Sequence, residues 1–387
     1  MTDALRVVDV VEEQLEAVWG VRQRSFGPGG DKDEWRKTAL EFLRDGRYLG
    51  VVDGDQLVAA ARIWPLEQWW GGRKLPMGGV AGVIVAPEYR GRGVGSLLMR
   101  GVLERCAEKG YPLSALYPAT TVLYRHLGYE FGGAKYRFAF PAADLRVLGG
   151  KGVAVRKAGK EDAQLFLDLA SKLHETQRTN GPLVWPLSEI EDWLGDEENF
   201  AYVAEDGFVV YNWTDGGLAV GELIAGSEQT ARALWATVGS GASTARTVYA
   251  VVPPTDPIHL LAEHEAESDP SVIRWMLRLV DAPAAIAQRG FPASVVLDVA
   301  VRLEDADLPA NAGDWRLSIA DGAGTLTAAE PAEDALHLGA RGLAALYAGT
   351  SMAALRAGGL ATGGAAAADP ALDTAFGGPA SYMVDDF

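Results

Sequence analysis

The sequence predicts a mixed α/β protein that is built from three consecutive units. At 387 residues the chain is longer than one ordinary core, since domains average roughly 100 to 200 residues. Strand-like and helix-like patterns alternate along its first part, and the same order of patterns returns in its second part. Hydrophobic residues make up 48% and charged residues 22%, which is typical of folded soluble proteins. We place the first, second and third units at residues 1–145, 146–291 and 292–387.

The first unit begins with the strand LRVVDV, followed by helices over residues 12–24 and 33–44. Asp53-Gly54-Asp55 predicts a hairpin turn, and LPMGGVAGVIVAP predicts the strand that follows the hairpin. A glycine-rich turn then opens a helix over residues 94–109. The strand YPLSALYPA, the helix TVLYRHLG and the strand YEFGGAKYRFAF complete the unit.

The second unit repeats this order of strand, helices, hairpin, edge strand, helix and strand, from VAVRKAG to TVYAVVP. Its segment GELIAGSEQTARAL has no arginine-anchored Gly-x-Gly at the position of the glycine-rich turn. We therefore predict a diverged internal repeat whose second copy binds no cofactor.

The third unit reads as strands followed by a helix, with Asp321-Gly322 as a turn. Its end is rich in Gly and Ala but finishes in apolar and aromatic residues, which a disordered tail usually lacks. The C-terminus is therefore expected to be docked on the protein.

Composition limits the kinds of site that the chain can hold. The single cysteine, Cys106, excludes an intrachain disulfide, and its place in an amphipathic helix indicates a structural role. The five histidines form no HExxH pair, so we predict no metal. A net charge of −17 argues against nonspecific nucleic-acid binding and suits a cationic substrate. No apolar run reaches the ~18 residues of a membrane helix, and we expect a cytoplasmic protein.

The strongest local signal is the segment VAGVIVAPEYRGRGVGSLLMRGVLERC. A strand-like run ends at Val85, Pro87 stops it, and residues 90–95 open an amphipathic helix. Glycines let backbone N–H groups approach an anion, and a helix N-terminus adds about half a positive charge. Arg90 and Arg92 add permanent positive charge. The pattern predicts a pyrophosphate site.

Two other phosphate-binding patterns are excluded at this turn. A Walker loop needs Gly-Lys-Ser/Thr, and a dinucleotide fold needs Gly-x-Gly-x-x-Gly with an acidic residue ~20 positions later; neither is present. A purely structural turn is the remaining alternative interpretation, although Gly91, Gly93 and Gly95 would then destabilise the helix start without serving a binding role.

This segment resembles the acyl-CoA-binding motif of the GNAT acyltransferase superfamily, whose core Arg-x-x-Gly-x-Gly is matched by Arg90, Gly93 and Gly95. The resemblance implies that the backbone of Val83, Ile84 and Val85 bonds the pantetheine arm. It also implies that backbone amides hold the pyrophosphate at Arg90, Gly91, Arg92, Gly93, Val94, Gly95 and Ser96. In such folds a splayed strand exposes a backbone N–H that can polarise the thioester carbonyl.

The whole chain is similar to the Eis (enhanced intracellular survival) family. The phrases LYRHLGYEFGGAKYRF and VIRWMLRLVDAPAAIAQRGFP fit this family. The resemblance implies two tandem GNAT folds, the second degenerate, and a C-terminal domain similar to sterol carrier proteins. It also implies acetyl transfer from acetyl-CoA to aminoglycosides or lysine side chains through a direct ternary complex, and assembly as a hexamer.

The resemblance also assigns catalytic roles. Family members use the chain's terminal carboxylate as the base, which here belongs to Phe387. A tyrosine in the short helix after the fifth strand acts as the acid, and Tyr124 holds that position. Tyr129 is the competing candidate, but its place at the start of a strand makes it the better core residue.

Substrate contacts are predicted at Phe26 and Trp35, in the region where this family builds one wall of its cleft, and at Asp386 beside the terminal carboxylate. Aromatic faces and acidic groups suit cations. Glu88 and Asp385 are expected to be solvated. The sequence leaves packing and substrate contact equally open for Trp69, Trp70 and Trp185.

Three other functions stay open from the sequence. The acceptor could be a protein lysine, a peptide amine or a small polyamine instead of an aminoglycoside. The third unit could carry lipid, although its Ala/Gly stretch offers few large side chains to line a tunnel. The chain could also be a catalytically dead acyl-CoA sensor.

Overall fold

The computed structural model describes residues 5–264 and 270–387, and it confirms a mixed α/β fold. Its strands form a 13-stranded sheet and a five-stranded sheet, and both sheets contain parallel and antiparallel pairs. Within the described residues no helix is long and apolar enough to cross a membrane.

The elements of the first unit follow the predicted order. They are β1 (Arg6–Asp9), α1 (Leu15–Phe26), α2 (Lys32–Arg44), β2 (Tyr48–Asp53), β3 (Gln56–Trp70), β4 (Arg73–Val85), α3 (Val94–Glu108), β5 (Leu113–Leu116), α4 (Thr121–His126), β6 (Glu130–Pro141) and α5 (Ala142–Arg146). The predicted hairpin turn joins β2 to β3, with Gly54 at a φ of 60°. The helix predicted from residue 12 begins instead at Leu15, because residues 12–14 form a tighter turn.

The second unit contains the predicted repeat and two strands that the sequence analysis missed, β8 and β13. Its elements are β7 (Arg156–Lys157), α6 (Ala163–Gln177), β8 (Asn180–Val184), α7 (Leu187–Gly195), β9 (Asn199–Ala204), β10 (Gly207–Thr214), β11 (Gly217–Ala225), α8 (Glu228–Gly239), β12 (Thr247–Val251), α9 (Ile258–Leu261) and β13 (Ser271–Leu279).

The long sheet is continuous because the two units exchange strands. β13 lies between β5 and β6 and pairs antiparallel with both, whereas β6 pairs on its other side with β12. Trp275, Met276 and Leu277 of β13 are fully buried there. Each unit therefore completes the other's sheet.

The third unit forms the five-stranded sheet. The helix α10 (Ala282–Gln288) precedes the predicted boundary at residue 291 and packs on this unit, and the further elements are β14 (Leu297–Glu304), β15 (Gly313–Ala320), β16 (Ala323–Ala328), β17 (Leu336–Gly339), α11 (Ala340–Tyr347), α12 (Met352–Ala357), β18 (Ala361–Gly363) and α13 (Asp369–Phe376). The predicted turn joins β15 to β16, with Asp321 and Gly322 at φ values of 52° and 78°. Aliphatic side chains and Phe376 line a cavity of only about 10 Å³ inside this unit, which is the room of about one water molecule.

The C-terminal segment, residues 381–387, is docked on the protein as predicted. Met383 is fully buried, and the N–H of Tyr382 donates to the carbonyl of Asn180 at 3.1 Å. Residues 133 and 181 must be glycines, because a Cβ on either would lie 2.4 Å from a backbone oxygen of this segment. Backbone contacts thus lead the end of the third unit along β6 and β8 into the first unit.

Candidate active site

The site begins where β4 and β5 separate. The two strands pair in parallel only from Met77 to Gly79, so β4 continues from Val80 to Val85 without a strand on that side. Opposite β3, Gly82 and Val83 together face the single residue Ala61, which is a β-bulge, and Gly82 has a φ of 60°. The sheet therefore opens into a fork beyond Gly79, where backbone groups of β4 have no strand partner.

The glycine-rich turn follows directly after the open end of β4. Gly91 and Gly93 have φ values of 74° and 79°, which residues with a Cβ rarely adopt. A Cβ at either position would meet no atom within 4 Å. The glycines thus permit this backbone conformation, and the space above the turn is open.

α3 begins at Val94 with free backbone donors. Gly93 is its N-cap and has no side chain to cap it, and the first N–H bonded within the helix is that of Leu97, which donates to Gly93 at 3.0 Å. The N–H groups of residues 94–96 therefore face outward, where the helix dipole favours an anion. This arrangement fits the pyrophosphate of acetyl-CoA.

The two arginines of the turn are exposed, and each contacts one neighbouring group of the protein. Nε of Arg90 donates to the carbonyl of Val85 at 3.3 Å. The guanidinium of Arg92 lies over the ring of Tyr89, 5.3 Å from the ring centroid. The hydroxyl of Tyr89 donates to Asp53 at 2.9 Å. Their charge therefore stays beside the open helix start, available to phosphate groups.

Tyr124 lies in α4, next to the beginning of α3. Its neighbour Leu123 would lie 3.4 Å from a Cβ on Gly95, which places the two helices side by side. Tyr124 is 5% exposed, and its hydroxyl has no hydrogen bond to any described residue. Burial raises its pKa to about 12, so the phenol keeps its proton at neutral pH. Its hydroxyl is therefore a proton donor without a partner among the described residues.

Tyr129 is a core residue, as predicted, and Cys106 is more deeply buried than the half-buried structural position expected from its amphipathic helix. The hydroxyl of Tyr129 lies 2.8 Å from that of Ser114, which donates to the carbonyl of Gly78 at 3.1 Å. Cys106 is completely buried, and burial raises the pKa of its thiol to about 12. Neither group is in a state to attack an acyl group at neutral pH.

The last residue of the chain reaches the fork. The ring of Phe387 packs on Gly79, where a Cβ would lie 3.0 Å from two ring carbons. The same ring is 5.8 Å from that of Tyr117, the residue that follows β5. The terminal residue thus lies between the diverging ends of β4 and β5.

Asp385 is not solvated, which corrects the sequence expectation. Its side chain is half-buried and lines a cavity of about 240 Å³ between α6, α7 and β8. Burial raises its pKa to about 6, and a hydrogen bond from Trp185 opposes the rise. No local sequence pattern signals this burial, because it depends on elements of the second unit.

We call this space the acidic cavity. Its carboxylates are Glu189, Glu222 and Asp385, and no lysine or arginine is among the described residues that line it. Burial raises the pKa of Glu189 and raises that of Glu222 to about 8. Tryptophan rings form much of the wall, at Trp69, Trp185 and Trp193. Carboxylates with no lysine or arginine beside them in the lining, together with aromatic faces, suit a bound ammonium group, although Lys135 lies near enough to Asp385 to oppose the rise of its pKa.

The three predicted substrate residues lie outside this lining. Phe26 is 59% exposed at the end of α1, and Trp35 packs against Trp19 with ring centroids 5.0 Å apart. Asp386 forms an ion pair with Lys135 at 2.6 Å, so its charge already has a partner. The structure therefore places the turn and α4 side by side and brings Phe387 to Gly79 on β4, but it does not gather these three predicted substrate residues around the cavity.

Metal ligands are not clustered in the described part of the chain: no three His, Cys, Asp or Glu side chains in residues 5–264 and 270–387 are placed to hold an ion.

Family models match three stretches of the chain. Two models described as acetyltransferase (GNAT) domains match residues 6–132 and 181–279, and a sterol carrier protein domain matches residues 282–384. The first stretch contains the fork, the glycine-rich turn and Tyr124. The predicted order of two GNAT folds and a sterol-carrier-like domain is confirmed, whereas the unit boundaries at 145 and 291 stay predictions.

Known proteins resemble the chain over most of its length. A GCN5-related N-acetyltransferase from Kribbella flavida is 64% identical, with a TM-score of 0.98 over 100% of this chain and 99% of that one. A GCN5-related N-acetyltransferase from Anabaena variabilis is 25% identical, with a TM-score of 0.89 over 99% and 100%. The N-acetyltransferase Eis of Mycobacterium tuberculosis is 28% identical over 79% of each chain. The chain is therefore similar to the Eis enzymes, and it belongs to the GCN5-related N-acetyltransferases, which are acetyl-CoA-dependent.

Proposed function

We propose that this protein transfers the acetyl group of acetyl-CoA to primary amines of a polycationic acceptor, such as an aminoglycoside, by direct attack in a ternary complex. The observation that carries the proposal is the path of the C-terminal segment. Asp385 lines the acidic cavity, and Phe387 lies at the fork beside the turn. Because two residues span at most about 7 Å, the amine-binding cavity and the acyl-binding fork adjoin.

The donor side of the reaction would use backbone groups. Acetyl-CoA would place its pyrophosphate on the N–H groups of residues 94–96, beside Arg90 and Arg92. Its pantetheine arm would run along Val83 to Val85 on the open edge of β4, as an added strand does. A backbone N–H on this edge would polarise the thioester carbonyl.

The acceptor amine must lose a proton before it attacks, because an alkylammonium group has a pKa near ~10.4. The terminal carboxylate of Phe387 would accept this proton. The amine nitrogen then forms a bond with the carbonyl carbon, and the bond from carbon to sulfur breaks. The leaving thiolate takes the proton of the Tyr124 hydroxyl, which has no competing acceptor among the described residues. The nitrogen loses its second proton as the amide forms, and that proton returns through solvent to the Tyr124 phenolate.

The charge of the acidic cavity favours a polycationic acceptor over an acceptor with a single amine. Glu222 is mostly protonated at pH 7, because its pKa is about 8, but Glu189 and Asp385 also line the acidic cavity, with no described lysine or arginine among the lining residues. One bound ammonium would therefore leave a carboxylate for a second. The cavity of about 240 Å³ would hold one arm of such a molecule, with the rest outside.

The test is a panel of acceptors with acetyl-CoA, followed by thiol release and by mass spectrometry of the products. It compares an aminoglycoside, a linear polyamine and a lysine-containing peptide with an acceptor that carries one amine. We expect acetylated aminoglycoside and the weakest turnover for the monoamine. Turnover confined to the peptide would replace the aminoglycoside assignment, and no turnover with any amine would overturn the proposal.

A further inference from the structure

A second large cavity lies in the second unit, where β11 and β12 separate. These strands pair in parallel from Gly217 to Val220, and β11 then continues to Ala225 alone on that side. The space beyond has a volume of about 340 Å³ and is bounded by the start of α8 and by the C-terminal segment. It occupies the place in the repeat that the acetyl-CoA fork occupies in the first unit.

This second cavity is unsuited to a pyrophosphate. No lysine or arginine is among the described residues that line it. The start of α8 is capped from within, because the hydroxyl of Ser227 accepts from the N–H of Thr230 at 3.3 Å. Glu228 adds a negative charge in the first turn of this helix. An anion would therefore meet a capped helix end and a carboxylate.

The polar groups of the second cavity are acidic and incompletely paired. Glu222 is half-buried and makes no hydrogen bond or ion pair with the part of the chain that the structure describes. Asp256 accepts from the N–H of Ile258 at 2.9 Å through one oxygen, which leaves its other oxygen open. Burial raises the pKa of Glu222 to about 8 and that of Asp256 to about 6.

Two further polar atoms in the lining are buried without a partner among the described residues. They are Oγ1 of Thr179 and Nδ1 of His174, in side chains that are each 3% exposed. Burial lowers the pKa of His174 to about 4, so the ring is neutral at pH 7. A buried polar atom without a partner is unfavourable, and a bound hydrogen-bond donor would relieve this.

We propose that the second cavity binds a small organic cation with a primary ammonium group, at a second site that adjoins the acidic cavity through Glu222 and His174, which line both. Three ammonium hydrogens match acceptors on Glu222, Asp256 and Thr179. The carbon stem would lie against apolar and aromatic walls, which include Trp235 and Leu223. The diverged repeat has thus replaced a phosphate-binding turn with an ammonium-binding pocket.

A ligand in the second cavity would contact the segment that carries the proposed base. Tyr382 and Val384 line this cavity, whereas Asp385 lines the acidic cavity and Phe387 lies at the fork. The bound cation would therefore hold the C-terminal segment on the protein.

Calorimetric titration with 1,4-diaminobutane, without acetyl-CoA, tests the proposal on the full chain. Asp256 lines only the second cavity and Glu189 only the acidic cavity, so their variants report the two sites separately. In Asp256→Asn the amide oxygen can still accept from Ile258. We expect two equivalents per chain in the natural protein, and about tenfold weaker binding of one of them in Asp256→Asn.

The control is Asp281→Asn, because Asp281 also caps a helix, accepting from Ala284 at 2.9 Å, but lines neither cavity. Loss of an equivalent in Asp256→Asn alone, with Glu189→Gln retaining it, supports the second site even if no amine is acetylated. If Asp256→Asn binds as Asp281→Asn does, or if either cavity variant abolishes all binding, the separate site is overturned.

Discussion

The hydroxyl of Tyr117 donates a hydrogen bond of 2.8 Å to the backbone carbonyl of Asp385. Burial raises the pKa of this phenol, so it remains a donor. The ring of the same tyrosine packs against Phe387. One side chain, placed directly after β5, therefore fixes the residue that faces the acidic cavity and the residue that reaches the fork.

Replacing Tyr117 with Phe should weaken the attachment of the C-terminal segment while the ring of Phe387 stays at the fork. The ring contact with Phe387 remains, but the hydrogen bond to Asp385 is lost. Since a displacement of about 1 Å can lower turnover about 100-fold, we expect kcat to fall about 10- to 100-fold. The KM for acetyl-CoA should change less than about twofold, because the turn is untouched. Steady-state kinetics with both substrates varied would show this.

The matched control is Tyr111→Phe. Tyr111 is half-buried, and its hydroxyl makes no hydrogen bond with the described residues. This variant should keep the natural kcat. An equal loss in both variants would mean that removing any tyrosine hydroxyl near β5 is harmful, and the positioning role of Tyr117 would be wrong.

Deleting Phe387 should remove most of the turnover. The deletion shifts the terminal carboxylate to residue 386, whose side chain is held by Lys135 at 2.6 Å, away from the ring site on Gly79. General bases contribute about 10²- to 10⁴-fold, so kcat should fall by at least about 100-fold. Phe387→Ala keeps a carboxylate at position 387 and should retain more activity than the deletion. Equal activity in the natural protein and the deletion would exclude the terminal base.

Tyr124→Phe should lower kcat about 100-fold, while acetyl-CoA binding stays the same. The substitution removes a hydroxyl that has no partner among the described residues, so the fold should not lose stability. Tyr129→Phe breaks the contact with Ser114 and should instead lower the thermal midpoint with a smaller effect on kcat. The reverse pattern would assign the acid role to Tyr129.

The parts of the fold that could be predicted are those set by local sequence. Turn residues such as Gly54 and Asp321 specify their hairpins, and the glycines at 91 and 93 mark an anion-binding turn, because their backbone conformations exclude most side chains. The helical pattern likewise predicted α3 over residues 94–109, and the helix ends one residue earlier, at Glu108.

Features that depend on distant segments could not be predicted in this way. β13 has strand-like residues, but nothing local indicates that it pairs with β5 and β6 instead of its own unit. Asp385 reads as a surface residue, since its burial comes from Trp185 and other residues some 200 positions earlier. The acidic cavity therefore became visible only in three dimensions.

Gly93→Ala should weaken acetyl-CoA binding through the backbone alone. A Cβ at this position meets no protein atom, but the φ of 79° is unfavourable for alanine by about 1 to 2 kcal/mol. Relief of that strain would turn the N–H groups of residues 94–96, so we expect about a tenfold higher Kd for acetyl-CoA. Gly152→Ala is the control, because Gly152 has a φ of 82°, equally open surroundings and a place far from the turn. A similar Kd in both variants would contradict the role of the turn.

Amine binding should weaken as the pH falls through about 6, where Asp385 takes up a proton. A carboxylate attracts an ammonium group only when it is ionised, and at pH 5 about one tenth of Asp385 would be ionised in the free protein. A bound cation favours the ionised form and lowers the pKa of Asp385 in the complex. The Kd for a polyamine should therefore rise up to about tenfold between pH 7 and pH 5.

Glu222 extends the pH dependence of amine binding above pH 7. Its pKa is about 8, so its negative charge still increases between pH 7 and pH 8. In Asp385→Asn the change between pH 7 and pH 5 should be smaller, while the change between pH 7 and pH 8 should persist. Asp298→Asn is the control, since Arg316 lowers the pKa of Asp298 and this carboxylate does not titrate between pH 5 and 8. If Asp385→Asn follows the natural protein from pH 7 to pH 5, Asp385 does not hold the amine, and Glu189 becomes the group to change next.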